Sequence, residues 1–442
     1  MKSIDLLKDD IKKLYLHYLF PTLGASLVTS VYVLFDTIFV GQGLGGDGLA
    51  ALNINIPIFS FVFGIGLLIG VGGSTLMSMA KGEGNNKKGN AIFSLSMVLA
   101  VTLAIIFTVI GVVFEEKIAY LLGATSENID MVREYTYWIV RGSGFFLIGN
   151  SLQGFLRCDK APKLAMIAVG VGAVTNIILD YLFIFPLNMG MAGAALATVT
   201  AQVLSVIVLL THFISKKNNL KFAWMKIRFK NILNIVKCGL PSFCIELSVG
   251  IVILLFNLKL QDISGLVAVS VYGVISNIAI VVSALFNGIG QTIQPIVSYN
   301  VGANNYDRAK IARKIGIITA LIIGIGAWII SITAPSLLIN IFTKATDDMI
   351  SIGSEGLRIY SFTFIIAGVN MVNGAYYQAM GLAKESLTIG LGRGLIFIII
   401  LLYPLSSILG VRGIWLTVPM TELLTLVIIY LIIKPRIERI KI

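Results

Sequence analysis

The sequence predicts an all-α integral membrane protein, and three observations carry that prediction. Of 442 residues, 57% are hydrophobic and only 13% are charged, whereas soluble domains carry roughly 25% charge. Mean hydropathy is +0.92. The apolar residues come in runs of the length, about 20 residues, that a helix needs to cross about 30 Å of hydrocarbon. These runs lack period-two alternation, which excludes a membrane barrel and leaves helices as the backbone that satisfies its own hydrogen bonds in lipid.

Twelve spans can be drawn, over 11–41, 49–80, 88–113, 132–156, 161–186, 192–215, 234–259, 264–300, 308–333, 352–380, 385–408 and 412–434. They leave little chain for a soluble domain. The opening segment MKSIDLLKDDIKKLYLHYLF mixes acids with its lysines and has no small-residue cleavage site, so it reads as an interfacial helix entering span one, with no removed signal expected. Cys158, Cys238 and Cys244 show neither disulfide nor metal spacing and read as packing residues.

Lysine and arginine alternate between rich and poor connections. Those on the side of the N-terminal segment, the even-numbered loops and the tail total 26, including Lys2, Lys226 and Lys441, against five on the other side: Lys117, Arg133, Lys259, Lys344 and Arg412. The positive-inside rule places both termini in the cytoplasm. The net charge of +12 is then topology and contact with anionic lipid, and nucleic acid is not an expected partner.

The longest basic loop, SKKNNLKFAWMKIRFKN at 215–231, falls midway and separates two halves that resemble each other. STLMSMAKGEGNNKKGN (74–90) aligns with QPIVSYNVGANNYDRAK (294–310), pairing Ser78 with Ser298, Gly82 with Gly302 and Asn85 with Asn305 at an offset of 220. The same offset aligns GMAGAALAT (190–198) with GVRGIWLTV (410–418). Two six-span repeats follow, an N-lobe over 1–214, a linker over 215–233 and a C-lobe over 234–442, related by an axis along the membrane normal. Paired parallel repeats imply a cavity that opens to either side in turn, hence a transporter.

The run FPTLGASLVTSVYVLFDTIFVGQ in span 1, the loop after span 2 and the stretch FLRCDKAPKLAMIAVGVGAVTNIILDYLFIF across span 5 resemble the multidrug and toxic compound extrusion family over essentially the whole chain. The resemblance implies a secondary antiporter in the cell membrane that expels amphipathic, often cationic, compounds in exchange for sodium ions or protons. A monomer is the expected state, membrane lipids are partners, and no cofactor is expected beyond the coupling ion.

Positions along the spans account for the acids. Asp36 stands five residues before Gly41 at the outer end of span 1, Asp180 six before Pro186 at the outer end of span 5, and Thr198 six after Ala192 where span 6 turns inward. At about 1.5 Å per residue the three lie at one depth, roughly 8 to 9 Å below the boundary. Asn176, one turn below Asp180 on the same face, adds an amide oxygen. Two carboxylates, an amide and a hydroxyl suit a small cation such as Na+, and two adjacent acids can instead share a proton. Two carboxylates at one level in hydrocarbon need a partner or an ion.

Residue by residue, the resemblance carries the family's N-lobe cation site onto Asp36, Asn176, Asp180 and Thr198, with Asn150 as a further, deeper position. It also makes span 1 a bending element, with Pro21, which removes a backbone donor, as hinge. The C-lobe partners of the acids at the repeat offset fall near Phe256 and Tyr403, so the ion site is expected in the first lobe alone. Glu246, Arg393 and Glu422 in the second lobe need pairing or water; an Arg393 bridge to one or both glutamates and a docking acid for cationic drugs are the two readings. Span 10 offers Asn370 and Asn373 but no acid near them. Gln153, Glu246 and Tyr377 are candidate substrate contacts, since aromatic faces suit flat cations.

Among rivals, a lipid-linked saccharide flippase of the same superfamily calls for a basic cavity. A major facilitator calls for an acidic and arginine-rich loop where this chain has AKGEGNNKKGN. An enzyme would need a nucleophile or metal set, and the two histidines, His17 and His212, have no ligand spacing. No GxxxxGK[ST] loop is present, so ATP is not the expected energy source.

Overall fold

The computed structural model describes residues 4–126, 128–223, 228–342 and 346–439. Lys2, Lys226, Lys344 and Lys441 of the charge pattern, and linker positions 224–227, lie outside the described residues. Helices account for the secondary structure, and no strand occurs among the described residues.

The first half runs α1 (Ile11–Gly82), α2 (Asn86–Val113), α3 (Glu115–Leu121), α4 (Ile129–Cys158), α5 (Pro162–Ile184) and α6 (Gly190–Leu210). The second runs α7 (Phe229–Gly302), α8 (Tyr306–Thr333), α9 (Pro335–Phe342), α10 (Asp347–Tyr360), α11 (Thr363–Ala379), α12 (Ala383–Leu391), α13 (Phe397–Leu409), α14 (Val411–Ile428) and α15 (Lys434–Arg439), with π turns at Gly392–Ile396 and Ile429–Ile433. Among the described residues nine helical stretches are long and apolar enough to cross a membrane. One of them, α1, holds two of the expected runs, 11–41 and 49–80. The runs at 132–156 and 352–380 are absent from the nine because α4 is more polar and the latter is divided between α10 and α11.

The repeat is written into the backbone at the same offset of 220. Gly45 (φ 68°, ψ −157°) breaks α1 and Gly265 (φ 71°, ψ −166°) breaks α7, a conformation essentially reserved to glycine. Gly190 and Gly410 open α6 and α14 with φ of 60° each, and Gly84 and Asn304 take positive φ after the second arm of α1 and of α7. Asn85 caps α2 by accepting from the Lys88 N–H at 2.9 Å.

Contacts divide the chain into two compact units. The first comprises Met1–Lys8 and Phe20–Leu247, the second Asp9–Leu19 and Ser248–Ile442. Residues 234–247, expected to begin the C-lobe, pack with the first unit, so the chain passes between units inside α7 and, one residue before Pro21, inside α1. The α1 backbone stays helical through Pro21.

Within each unit, helices turn small residues inward and large ones outward, because lipid gives no hydrophobic drive to hide leucine or isoleucine and close approach needs small side chains. In α2, Ala100, Ala104 and Gly111 are buried while Val101, Ile105, Val109 and Val113 are exposed. In α8, Ala312, Gly316, Ala320 and Gly324 are buried while Ile311, Ile318, Ile322 and Ile329 are exposed. The closest approaches to backbone in the first unit centre on the second arm of α1. A methyl at Gly239 would lie 1.8 Å from the Leu68 carbonyl, one at Gly72 2.2 Å from the Ile235 carbonyl, and one at Gly154 2.8 Å from the Gly70 carbonyl. Phe93 on Phe155 and Phe59 on Phe146, each with centroids 5.1 Å apart and crossed edge to face, fill the core between them.

Candidate functional site

The first unit brings four helices together around Asp36 and Asp180. Asp36 lies on the first arm of α1, Asp180 and Asn176 on the last three turns of α5, Thr198 on α6 and Tyr135 on α4. Asp180 is fully buried, Asn176 is 1% exposed and Thr198 8%. The two carboxyl groups stand within hydrogen-bonding reach of each other, and Asn176 stands beside Asp180. Asn176 Nδ2 donates to Thr198 Oγ1 at 3.3 Å, and Thr198 Oγ1 donates to the Ala194 carbonyl at 3.1 Å, which leaves the amide oxygen of Asn176 for the acids.

The oxygens of this cluster outnumber its donors. Asp36 Oδ1, both carboxyl oxygens of Asp180 and Asn176 Oδ1 are buried with no hydrogen-bond donor among the described residues. Two carboxylates cannot satisfy each other, since an ionised carboxylate only accepts. A shared proton would make one a donor, and a small cation would be met by several hard oxygens at once. The donor set therefore fits either ion. No group of three or more histidine, cysteine or acidic side chains positioned for a metal occurs among the described residues.

Two tyrosines in the cluster escaped sequence reasoning. Tyr135, 5% exposed, approaches the Thr198 hydroxyl and lies within electrostatic reach of Asp36 and Asp180. Tyr32, one turn before Asp36, sits within reach of both acids and of Glu246. The depth arithmetic applied to the other spans contains the missed signal: Tyr135 is six residues into α4, as Thr198 is six residues past Ala192.

Other candidates fall elsewhere. Asn150 is buried on α4 with its Nδ2 unpartnered, but 15 residues beyond Tyr135, roughly 22 Å along the axis, and so outside the layer. Gln153 is half-buried one turn further on. Glu246, expected in the second lobe, packs in the first unit, where its Cβ would lie 3.7 Å from a methyl at Gly64, and it forms no ion pair among the described residues. Tyr377 is 1% exposed in the second unit, in the core of α11.

The second unit treats its buried acid differently. Glu422 accepts from Arg393 Nη2 at 2.6 Å and Nε at 3.0 Å, and from Asn370 Nδ2 at 2.7 Å. Of the two expected bridges, the structure forms the one between Arg393 and Glu422. Asn373 accepts from Arg313 Nε at 2.8 Å.

Comparisons with known proteins agree with this architecture. A family model described as MatE matches residues 21–182 and 241–408. The multidrug export protein MepA of Staphylococcus saprophyticus is 26% identical over 431 residues, covering 96% of this chain and 95% of that protein. MepA of Staphylococcus aureus strain MSSA476 is 24% identical over 433 residues with the same coverage. Among solved structures, an outward-facing multidrug resistance MATE family transporter of the MOP superfamily superposes with a TM-score of 0.91 at 23% identity, covering 100% of this chain and 99% of that one. A MATE protein in complex with MaL6 gives 0.93 at the same identity and coverage. Since the family model reaches across both repeats and most of the sequence, this chain belongs to the multidrug and toxic compound extrusion (MATE) family of membrane transporters.

Proposed function

We propose that this protein is a secondary antiporter of the cell membrane that exports amphipathic, cationic compounds in exchange for inward sodium ions or protons. The observation that carries the reading is the pair Asp36 and Asp180, of which Asp36 Oδ1 and both carboxyl oxygens of Asp180 are buried with no donor among the described residues. A cation from outside binds there, favours the state that releases drug outward, and leaves to the cytoplasm as the units exchange access. The names of the MepA relatives, which span nearly the full chain, support drug export. The membrane potential adds about 2.3 kcal/mol per charge per 100 mV to such an exchange.

The test is ethidium efflux from vesicles holding the purified protein, driven by an imposed sodium gradient and, separately, by a pH gradient. One gradient is expected to drive efflux, and Asp36→Asn and Asp180→Asn are each expected to abolish it. Full efflux in both variants would remove the pair from the mechanism. A flippase for lipid-linked saccharides would meet phosphate with cations, and the carboxyl pair argues against it.

A further inference from the structure

The linker's first part, residues 215–223, is strapped along the first unit by its backbone. The Asn219 N–H donates to Asp159 Oδ2 at 2.9 Å, and the Asn219 carbonyl accepts from Lys81 Nζ at 3.3 Å. Further on, the Lys221 N–H donates to Asn90 Oδ1 at 3.4 Å and the Ala223 N–H to Ser94 Oγ at 2.9 Å. Asn90 and Ser94 are one turn apart on α2, so the strap climbs that helix toward its middle. With 28 residues, α2 is about 42 Å long and overhangs about 30 Å of hydrocarbon by roughly 6 Å at each end. Asn90, roughly 6 Å from the start of α2, stands at that boundary and is the last amide or charged side chain before the apolar run.

Anchoring by backbone leaves the strap's side chains for the surface. Lys216, Lys217, Lys221 and Arg228 are exposed, and none forms an ion pair among the described residues. No acid occurs in the sequence between Asp180 and Glu246, and Asp159, which anchors the strap, is engaged by Lys81 and His212. The turns after the second arms of α1 and α7 differ, since there Lys88 meets Glu83 at 2.9 Å and Lys310 meets Asp307 at 3.6 Å. Phe222 sits between the residues bonded to Asn90 and Ser94, and is 70% exposed although its ring lies 5.4 Å from that of Phe93. Phe229, at the start of α7, is 78% exposed. Exposed rings beside unpaired cations suit a headgroup layer, where the ring meets the acyl boundary and the cation the phosphate.

We propose that this linker is a docking site for anionic phospholipid, with Lys216, Lys217, Lys221 and Arg228 on the headgroup phosphates and Phe222 and Phe229 at the acyl boundary. Attraction to an anionic leaflet acts on every basic loop alike, whereas here a pinned backbone holds Lys221 and Phe222 at headgroup depth. Each cation so placed strengthens association about fivefold.

The full-length protein in detergent micelles tests the site. Its unfolding midpoint is followed as phosphatidylglycerol, phosphatidylcholine or inorganic phosphate is added at constant ionic strength. Phosphatidylglycerol is expected to raise the midpoint saturably by about 2 °C or more beyond phosphatidylcholine. Combining Lys216→Gln, Lys217→Gln and Lys221→Gln is expected to cut that excess to about a third or less. Combining Lys310→Gln, Lys314→Gln and Lys384→Gln, which removes the same charge from other exposed positions, is expected to keep it. An equal response in the two triple variants would mean a diffuse field, a matching rise with inorganic phosphate a free-anion site, and no excess over phosphatidylcholine no site at all. Each of these would overturn the proposal.

Discussion

Arg393 grips Glu422 with Nη2 at 2.6 Å and Nε at 3.0 Å from one carboxylate oxygen, and Asn370 holds the other at 2.7 Å. The buried acid of the second unit is thus neutralised by the protein itself, whereas Asp36 and Asp180 in the first form no ion pair among the described residues. Arg393→Ala leaves Glu422 buried and unpaired, and a loss of about 3 to 5 kcal/mol is expected. Arg393→Met combined with Glu422→Leu, which removes both charges, is expected to recover most of that stability. Thermal unfolding of the two variants measures the difference, and equal losses would show that the pair acts through packing alone.

Tyr135 reaches the cation layer from α4 through Thr198. Tyr135→Phe keeps the ring and removes one hydroxyl, a change of about 0.5 to 1.5 kcal/mol for a neutral hydrogen bond. The half-saturating concentration of the driving ion in vesicle efflux is expected to rise about two- to tenfold, with the maximal rate less affected. A change in maximal rate with unchanged ion dependence would place Tyr135 outside the ion site.

Gly239 lets α7 meet the second arm of α1 with no room for a side chain, since an added methyl would sit 1.8 Å from the Leu68 carbonyl. Backbone cannot move aside as a flexible side chain can, so Gly239→Ala must part the helices. A cost of about 1 to 3 kcal/mol is expected. Gly250→Ala, on the same helix with nothing within 4 Å, is expected to be neutral or slightly stabilising. The contrast in unfolding midpoint between the two separates crowding from helix propensity.

What the sequence made legible followed from solvent and spacing. Run length marked the helices because hydrocarbon forbids other backbone, and the depth count from helix ends brought Asp36, Asp180 and Thr198 to one level because an α-helix rises evenly. Tyr135 was missed because a tyrosine in a span reads as packing until its hydroxyl has a neighbour. The assignment of 234–247 to the C-lobe followed the loop, whereas contacts follow Gly72 and Gly239, whose closeness across α1 and α7 no local pattern announces. Glu422 and Arg393 were recognised as needing partners, and their pairing depended on α13 being preceded by the π turn at Gly392–Ile396, a register shift invisible to hydropathy.

Gly45 offers the cleanest test of the repeat. Its φ of 68° and ψ of −157° break α1 between its two arms, and a methyl built there meets nothing within 4 Å. The cost of Gly45→Ala is therefore backbone strain alone, about 1 to 3 kcal/mol. Gly46, its neighbour, is equally open but has no positive φ, so Gly46→Ala controls for the added methyl and is expected to be neutral or better. Gly265 occupies the equivalent position in α7 with φ 71° and ψ −166°, again with no neighbour within 4 Å. If the two breaks serve the same purpose, Gly265→Ala carries a similar cost and the double substitution adds the two, because distant sites are additive within about 0.5 kcal/mol. Unfolding midpoints of the three single variants and the double variant decide it. A neutral Gly45→Ala would mean that the turn relaxes into another geometry and that the shared conformation is not what holds the arms in place.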